Sequence, residues 1–305
     1  MTEILRTADL LAQGYDKAEL QRMVRQGVLA HVRRGAYVRT EAGEEPSSTE
    51  DRHRLLVRAV AAQVLPGAVV SHGSAAVLHG LPVWNDAISH VHLTRSRSTG
   101  AKRRADVDLH SAALPPAHAV LLDGVPVTSL ARTVADLGRT RSFAQAVAAG
   151  DRAVRLGLDF GDLEDVLRTM EQWPGVRQSR RVNNFLDGRS ESAGESVSRV
   201  RLWEQGLPIP IPQREIYDAS GTMIARVDFA WEDYRTVGEF DGKLKYGALV
   251  KPDQRVEDVL FAEKLREDAL RDAGWQVVRW VWADLRRPGL LRERVLRAFA
   301  RSRSR

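Results

Sequence analysis

Cysteine is absent from this chain of 305 residues, and this absence excludes disulfide bonds, thiolate zinc sites and cysteine nucleophiles. The chain also lacks an apolar run of the ~20 residues that a membrane-spanning helix needs. Its first residues, MTEILRTADLL, show no basic segment followed by an apolar one, so we expect no signal peptide. These absences predict a cytoplasmic protein without a membrane partner.

The length and the charge of the chain point to several domains and an anionic partner. A hydrophobic content of 43% over 305 residues predicts more than one core, because single cores stop growing near ~250–300 residues. The net charge is +6, and residues 286–305 hold eight arginines and one acid. A basic tail favours nucleic acid or an acidic partner. A solvated helix end is the alternative interpretation.

Residues 1–45 predict a small winged helix. Asp16 and Glu19 have capping-box spacing at the start of a second helix, and the turn Arg33-Arg34-Gly35 lies between two short apolar strands. Helix, turn, helix and β-hairpin in this order are typical of a winged helix. The second helix and the hairpin carry basic residues that suit a phosphate backbone: Lys17, Arg22, Arg25, Arg33 and Arg34. A solvated surface without nucleic acid is the alternative.

Residues 51–172 alternate predicted helices and strands, which indicates a mixed α/β middle domain without a recognisable catalytic motif. Seven of the eight histidines lie between His53 and His118, and His90 and His92 would share one strand face. Facing histidines can bind metal. No third ligand follows from the spacing, so structural histidines are the favoured interpretation. Residues 173–190 are polar and predict a linker.

Residues 190–303 bring acidic side chains to one predicted surface. The stretch 223–231 alternates as a strand, with Asp228 on the face opposite to Phe229. A hairpin to the next strand would place Asp228 near Glu239 and Asp241, and Glu195 would come from the preceding helix. Clustered carboxylates need a compensating cation, and hard oxygen ligands suit Mg²⁺ or Mn²⁺. Solvated acids that bind nothing are the alternative.

Two stretches carry a resemblance to known families. Residues 226–231 (RVDFAW) and 239–243 (EFDGK) resemble the DUF559/Vsr-like branch of the PD-(D/E)xK nuclease superfamily. Residues 261–270 (FAEKLREDAL) and 274–279 (GWQVVR) look like the helix and the strand that close that fold. The first forty residues, with 71–76 (SHGSAA) and 78–80 (LHG), resemble AbiEi-type antitoxins.

The resemblance implies a fold and a set of site residues. It implies a restriction-endonuclease-like αβββαβ core in which Asp228 and Glu239 hold a divalent metal, Mg²⁺ or Mn²⁺, and Glu195 matches the helix acid of many members. The motif lysine should stand two residues after Glu239, where this chain has Asp241. Lys243 or Lys264 would have to substitute for that lysine.

Two functions therefore stay open at this point. In the first, the protein is a metal-dependent endonuclease: Asp228 and Glu239 hold the metal, Glu195 or Asp241 completes its ligands, and Lys243 or Lys264 assists hydrolysis of a phosphodiester. In the second, the winged helix binds an operator or a cognate toxin, as an antitoxin-like regulator would, and the nuclease fold is degenerate. The aspartate at position 241 favours the second function, and the presence of all three core acids favours the first.

Overall fold

The computed structural model describes residues 4–39, 48–61, 67–96, 102–104, 106–242, 256–287 and 289–303. Within these residues the strands are β1 Ile4–Arg6, β2 Leu29–Arg33, β3 Ala36–Arg39, β4 Ala68–Val70, β5 Val91–Arg95, β6 Lys102–Arg104, β7 Val107–Ser111, β8 Ala119–Leu122, β9 Val125–Thr128, β10 Ile211–Tyr217, β11 Met223–Trp231, β12 Thr236–Asp241 and β13 Gln276–Val281. The α-helices are α1 Thr7–Ala12, α2 Lys17–Arg25, α3 Thr49–Ala61, α4 His72–Leu78, α5 Leu130–Thr140, α6 Phe143–Arg155, α7 Phe160–Arg168, α8 Val176–Phe185, α9 Ala193–Glu204, α10 Val256–Asp272, α11 Trp282–Leu285 and α12 Leu290–Arg303.

The strands form three sheets, so the chain has the mixed α/β character that the sequence predicts. Strands β1-β3-β2 make an antiparallel sheet, and the order β6-β7-β5-β4-β9-β8 makes a mixed six-stranded sheet. The order β10-β11-β12-β13 makes a second mixed sheet. No helix among the described residues is long and apolar enough to cross a bilayer.

The chain divides into two compact units. The first unit comprises Met1–Arg141 and Gly157–Asn183, and the second comprises Ser142–Leu156 and Asn184–Arg305.

The first unit begins with a helix pair and a three-stranded sheet. Asp16 caps α2 by accepting a hydrogen bond from the Glu19 N–H at 2.7 Å, as the capping-box spacing predicts. Gly27 ends the helix with a φ of +70°, a conformation that glycine adopts without steric cost. A small apolar core holds these elements together: Leu10, Leu20 and Leu29.

The six-stranded sheet of the first unit buries one apolar face. Its core combines α3 and α4 with strands β4, β5, β7 and β9: Val57, Val60, Val70, Ala75, Val91, Leu93, Val107 and Val127. His90, which was predicted to share a strand face with His92, lies before strand β5, because residues 85–87 form a 3₁₀ turn and 88–90 a bend.

The second unit places its elements in the order α9, β10, β11, β12, α10, β13. Strands β10, β11 and β12 are antiparallel, and β13 lies parallel to β12. One apolar cluster packs β10, β11 and β12 with the end of α10: Ile216, Ala225, Val227, Ala230, Val237, Leu270 and Trp275. The four-stranded sheet therefore has its own apolar core, and the register of its strands positions the acidic residues.

The predicted linker 173–190 is wrong over most of its length, because α8 spans Val176–Phe185. The helix buries Val176, Ser179 and Val182, which lie three residues apart. The arginines and asparagines of this segment conceal the helical pattern in the sequence. Ser179 Oγ donates to the carbonyl oxygen of Ala135 at 3.0 Å. A serine hydroxyl is therefore buried at a position where a helical pattern predicts an apolar side chain. Residues 41–47 of the other predicted linker lie outside the described residues.

Candidate functional site

The strand register brings the predicted acids of the second unit together. Phe229 pairs with Gly238 across β11 and β12, which places Asp228 beside Glu239. The parallel register of β12 and β13 pairs Glu239 with Arg279. On the other side, the pairs Pro212–Phe229 and Arg214–Val227 place Gln213 opposite Asp228. The result is one polar row across four strands: Gln213, Asp228, Glu239 and Arg279. We call it the polar row.

Glu195 joins the polar row from the first turn of α9. Its carboxylate oxygen Oε1 accepts from the Ser192 hydroxyl at 2.8 Å, and Oε2 accepts from the Glu191 N–H at 2.8 Å. Ser192 in turn accepts from the Glu195 N–H at 3.1 Å. An acid in this position caps a helix and interacts favourably with the helix dipole. Glu195 is buried, with 7% of its surface exposed, so these contacts hold a desolvated carboxylate.

Gln213 connects two of the carboxylates. Its side-chain amide donates to Glu195 Oε2 at 2.8 Å and, in a longer contact, to Asp228 Oδ1 at 3.3 Å. The backbone of Gln213 has a φ of +52°, in the left-handed region that non-glycine residues rarely occupy. Strain of this kind costs about 1–3 kcal/mol and persists only where surrounding contacts impose it. At Gln213 the strained backbone accompanies the side-chain amide that bridges Glu195 and Asp228.

Glu239 is held by two arginines. Arg266 of α10 donates from Nη2 to Glu239 Oε1, and Arg279 Nη2 lies 3.1 Å from Glu239 Oε2. Arg279 also pairs with two acids of α10, Glu263 and Glu267. Two positive charges therefore reach the acidic surface from α10 and β13.

Asp228 lies at the centre of the three acids, and its pKa reflects this position. Burial raises the pKa of Asp228, and the charges of Glu195 and Glu239 raise it as well, whereas hydrogen bonds from the Phe240 N–H and Gln213 oppose the rise; together they bring the pKa to about 6. The Phe240 N–H donates to Asp228 Oδ2 at 2.8 Å. Glu195 and Glu239 thus both lie within electrostatic range of Asp228.

Protein groups hold all three acids in this arrangement. Each of the six carboxylate oxygens of Glu195, Asp228 and Glu239 has a protein partner. In the described part of the chain, no group of three or more acids or histidines is placed as a set of metal ligands.

The remaining residues predicted for the site are Asp241, Lys243 and Lys264. Asp241 ends β12 and is exposed. Lys264 is exposed on α10, and among the described residues it forms no hydrogen bond or ion pair with the three acids. Lys243 lies outside the described residues. The cation that α10 directs to Glu239 is thus Arg266, two positions after Lys264.

The predicted basic surface of residues 17–34 is largely unpaired. Lys17, Arg22, Arg25 and Arg34 are exposed, and none of them forms an ion pair with any residue that the structure describes. Arg33 differs, because its guanidinium pairs with Asp106 through Nε at 2.9 Å and Nη2 at 3.1 Å. Four of the five predicted residues are therefore free to meet an anion, and Arg33 is engaged within the unit.

Sequence reasoning missed Gln213, Arg266 and Arg279. Gln213 follows three proline-containing dipeptides and gives no signal of its own, because its role depends on the register of β10 with β11. Arg266 and Arg279 stand in ordinary amphipathic patterns. The signal that was present is the charge balance of α10, where Glu263, Arg266 and Glu267 lie one turn apart.

Comparison with known proteins places the chain among relatives whose functions are not described. No model of a known protein family matches the chain. The crystal structure of the RV2827C protein from Mycobacterium tuberculosis is similar over 70% of this chain and 83% of that chain, with a TM-score of 0.41 and 15% identity. The uncharacterized proteins Rv2248 and MT2308 of two Mycobacterium tuberculosis strains are each 31% identical over 285 residues, which is 92% of this chain and 99% of theirs. The chain belongs to the family that includes Rv2248 and MT2308.

Proposed function

We propose that this protein is a cytoplasmic, DNA-binding regulator of the antitoxin type, in which a nuclease-like domain serves as a scaffold without cleaving DNA. The N-terminal helix pair and hairpin act as a winged helix, and the second unit contributes a restriction-endonuclease-like core. DNA is the proposed partner of the winged helix, and a cognate toxin is the second proposed partner.

The observation that carries the proposal is the pairing of Glu239 with Arg266 and Arg279. In the resembling nucleases this glutamate holds the metal and a lysine follows two residues later. Here two guanidinium groups compensate the glutamate, and Asp241 stands at the lysine position. Both changes act against hydrolysis. The two guanidinium groups occupy the carboxylate that would hold the metal, and Asp241 replaces a positive charge with a negative one.

The support for DNA binding comes from α2 and the hairpin. Arg22 and Arg25 lie one turn apart on the exposed side of α2, while Leu20 on the other side is buried in the small core. Arg34 lies at the tip of the β2–β3 hairpin. Exposed arginines on a helix and an adjacent wing suit contacts with phosphate oxygens. Such contacts fix a protein on a duplex, and the affinity they contribute depends strongly on salt.

The test of DNA binding compares matched pairs of arginine variants on a fragment that carries the protein's own promoter. We expect Arg22→Ala/Arg25→Ala to weaken binding and to lower the slope of log affinity against log salt by about 2, since each phosphate contact contributes ~0.9. The control is Arg168→Ala/Arg177→Ala, which removes the same charge from exposed positions on α7 and α8. Equal loss in both pairs would reject α2 as the DNA-binding element.

A metal-dependent endonuclease is the second candidate, and the gathering of Glu195, Asp228 and Glu239 favours it. If Mg²⁺ or Mn²⁺ replaces the arginine contacts in the presence of DNA, it would supply Lewis-acid chemistry for phosphodiester hydrolysis. The assay is cleavage of supercoiled, linear and single-stranded DNA by the wild type, Asp228→Ala and Glu239→Ala. Metal-dependent cleavage that both substitutions abolish would establish the enzyme and overturn the scaffold. Absence of cleavage on all substrates, with promoter binding retained, supports the regulator.

A further inference from the structure

The six-stranded sheet of the first unit has a polar face as well as an apolar one. Alternate residues of β5 and β7 enter the apolar core, for example Val91 and Leu93, and the residues between them lie on the opposite face. On that face His92 and Thr94 are buried, with 7% and 0% of their surface exposed. Buried uncharged polar groups require hydrogen-bond partners, so the partners of His92 and Thr94 indicate what this face can bind.

Helix α5 presents a buried charged stripe of three residues with helical spacing. Arg132 and Asp136 are 1% and 0% exposed, and Arg139 is mostly buried. Asp136 accepts from Arg132 Nε at 2.9 Å and from Arg139 Nη1 at 3.1 Å. The guanidinium groups of both arginines stack on Trp173, at 5.0 and 4.8 Å from its ring centre. A helix of a globular unit normally buries an apolar stripe. Helix α5 buries Ala131, Val134 and Leu137, and it buries two cations and one anion beside them.

Three imidazoles lie beside this stripe. His72 stacks on His110 with ring centres 4.0 Å apart, and His92 Nδ1 lies 3.0 Å from His110 Nε2. Burial lowers the pKa of His72, and the positive charges of Arg132 and Arg139 lower it as well. Burial also lowers the pKa of His92, to about 4, and that of His110. The imidazoles are neutral at pH 7, so the charge of the cluster comes from its arginines and aspartates.

Ser71 connects Thr94 with His72. Thr94 Oγ1 donates to Ser71 Oγ at 2.8 Å, and Ser71 Oγ lies 3.0 Å from His72 Nδ1. When Ser71 donates its hydroxyl proton to Nδ1, neutral His72 carries its own proton on Nε2. Among the described residues no group accepts from that Nε2. His72 is also held at a φ of +51°, a conformation that costs free energy and is enriched at functional sites.

Arg132 offers a second donor without a partner. Its Nε binds Asp136 and its Nη1 donates to the Ala113 carbonyl at 3.0 Å, whereas its buried Nη2 has no hydrogen-bond partner in the described structure. An orphaned buried donor costs about 1–3 kcal/mol, more when it is charged, and such groups are rare in native proteins.

The buried stripe of α5 carries an excess of one positive charge, because Arg132 and Arg139 face the single carboxylate of Asp136. Asp108 and Arg141 also act on His92, and Arg141 is paired with Asp86 at 2.9 Å. The stripe thus combines the unpartnered Nη2 donor of Arg132 with a positive charge that Asp136 does not compensate. A charged donor of this kind suits an anion.

We propose that the cluster of His72, His92, His110, Arg132 and Arg139 binds a phosphoryl group, with His72 Nε2 and Arg132 Nη2 donating to its oxygens. The planar guanidinium suits the geometry of phosphate oxygens. The linked imidazoles of His92 and His110 share one proton across Nδ1 and Nε2, so the pair offers one further donor and one acceptor, which matches a monoprotonated phosphate. This inference is independent of the function proposed above.

The experiment follows the histidine side chains of the full-length protein by ¹⁵N NMR during a titration with inorganic phosphate. We expect the tautomer with the proton on Nε2 for His72 and saturable shifts of the His72 and His110 signals. Adenosine 5′-monophosphate and an oligonucleotide with or without a 5′-phosphate distinguish the source: the tightest binder identifies a free phosphate, a nucleotide or a nucleic-acid end. Each of these three results supports a phosphoryl site.

Two variants and two controls decide the assignment. Arg132→Lys keeps the charge and removes the Nη2 donor, and we expect about tenfold or weaker binding, as for a lost charged hydrogen bond. Its control is Arg168→Lys, an exposed arginine paired with Asp165. If Arg132→Lys does not fold, His72→Asn decides, because asparagine tolerates positive φ; its control is exposed His31→Asn. No saturable shift with any phosphate compound, or wild-type affinity in the variant that folds, would overturn the proposal.

Discussion

Replacement of Asp228 by asparagine tests the electrostatics of the polar row. Burial and two neighbouring acids raise the pKa of Asp228 to about 6 from 3.8. The folded state therefore binds a proton more tightly than the unfolded state, and ionisation of Asp228 destabilises the fold as the pH rises from about 4 to 6. Asparagine carries no charge to desolvate. We expect Asp228→Asn to be more stable than the wild type at pH 7 to 8.

The magnitude follows from the shift and from the contacts that asparagine loses. A shift of this size, at 1.36 kcal/mol per unit, corresponds to about 3 kcal/mol at pH values above 6. Asparagine retains one acceptor oxygen, so one of the contacts from Phe240 N–H and Gln213 is lost, which costs about 1 kcal/mol. The net gain in the free energy of unfolding is about 2 kcal/mol at pH 7. Below pH 4 the gain disappears and the variant is about 1 kcal/mol less stable.

The assay is denaturant unfolding of the wild type and Asp228→Asn between pH 4 and 8, followed by tryptophan fluorescence. Five of the seven tryptophans lie in the second unit, so the signal reports mainly on the unit that contains Asp228. Asp233→Asn is the control, because this acid is exposed in the turn after β11. Destabilisation of Asp228→Asn by the same amount at pH 4 and pH 8 would refute the assignment, because the charge would then contribute nothing.

Three further substitutions test the packing and the buried charges. Burial lowers the pKa of His53 to about 4, below its unfolded value. Neutral His53 therefore stabilises the fold above pH ~6.5, and we expect the free energy of unfolding to fall by about 3 kcal/mol towards pH 4. His53→Gln should flatten this pH profile in denaturant titrations. Gly194→Ala would place its Cβ 1.9 Å from the Phe240 ring, and we expect about 1–3 kcal/mol of destabilisation by calorimetry; unchanged stability would contradict the close approach. Arg199→Met leaves Asp151 buried without its cation, and we expect a loss of about 3–5 kcal/mol in denaturant titrations, which Asp151→Asn in the same chain should partly restore.

Local signals predicted many of the elements, because they depend on neighbours in the sequence. The cap at Asp16 and the alternation along 223–231 are set within a few residues, and the structure has a helix and a strand there. The linker predicted at 173–190 is wrong, since tertiary packing decides whether a polar segment forms a helix.

The candidate site was predictable only in part, since a sequence pattern shows which acids face one way but not which cations meet them. The alternation of β11 placed Asp228 on the polar face, and two-residue spacing placed Glu239 in reach. The partners come from the register of β10 and β13 and from the rotation of α10, none of which has a local signature. For the same reason His90 and His92 were paired from their spacing, whereas the structure assembles His72, His92 and His110 from a helix start and two strands.

The contacts of the three acids bear on why a chain without the motif lysine keeps them. An acid that only awaited a metal would repel its neighbours and destabilise the fold. Here Glu195 caps α9, Asp228 accepts from the β12 backbone, and Glu239 compensates two arginines that would otherwise be partly buried cations. Each acid thus has a structural contact that requires no metal, and removal of any one leaves a partner unsatisfied. The contacts of Glu195 and Glu239 therefore account for these two acids without a metal, whereas ionised Asp228 destabilises the fold at neutral pH and stability does not account for it.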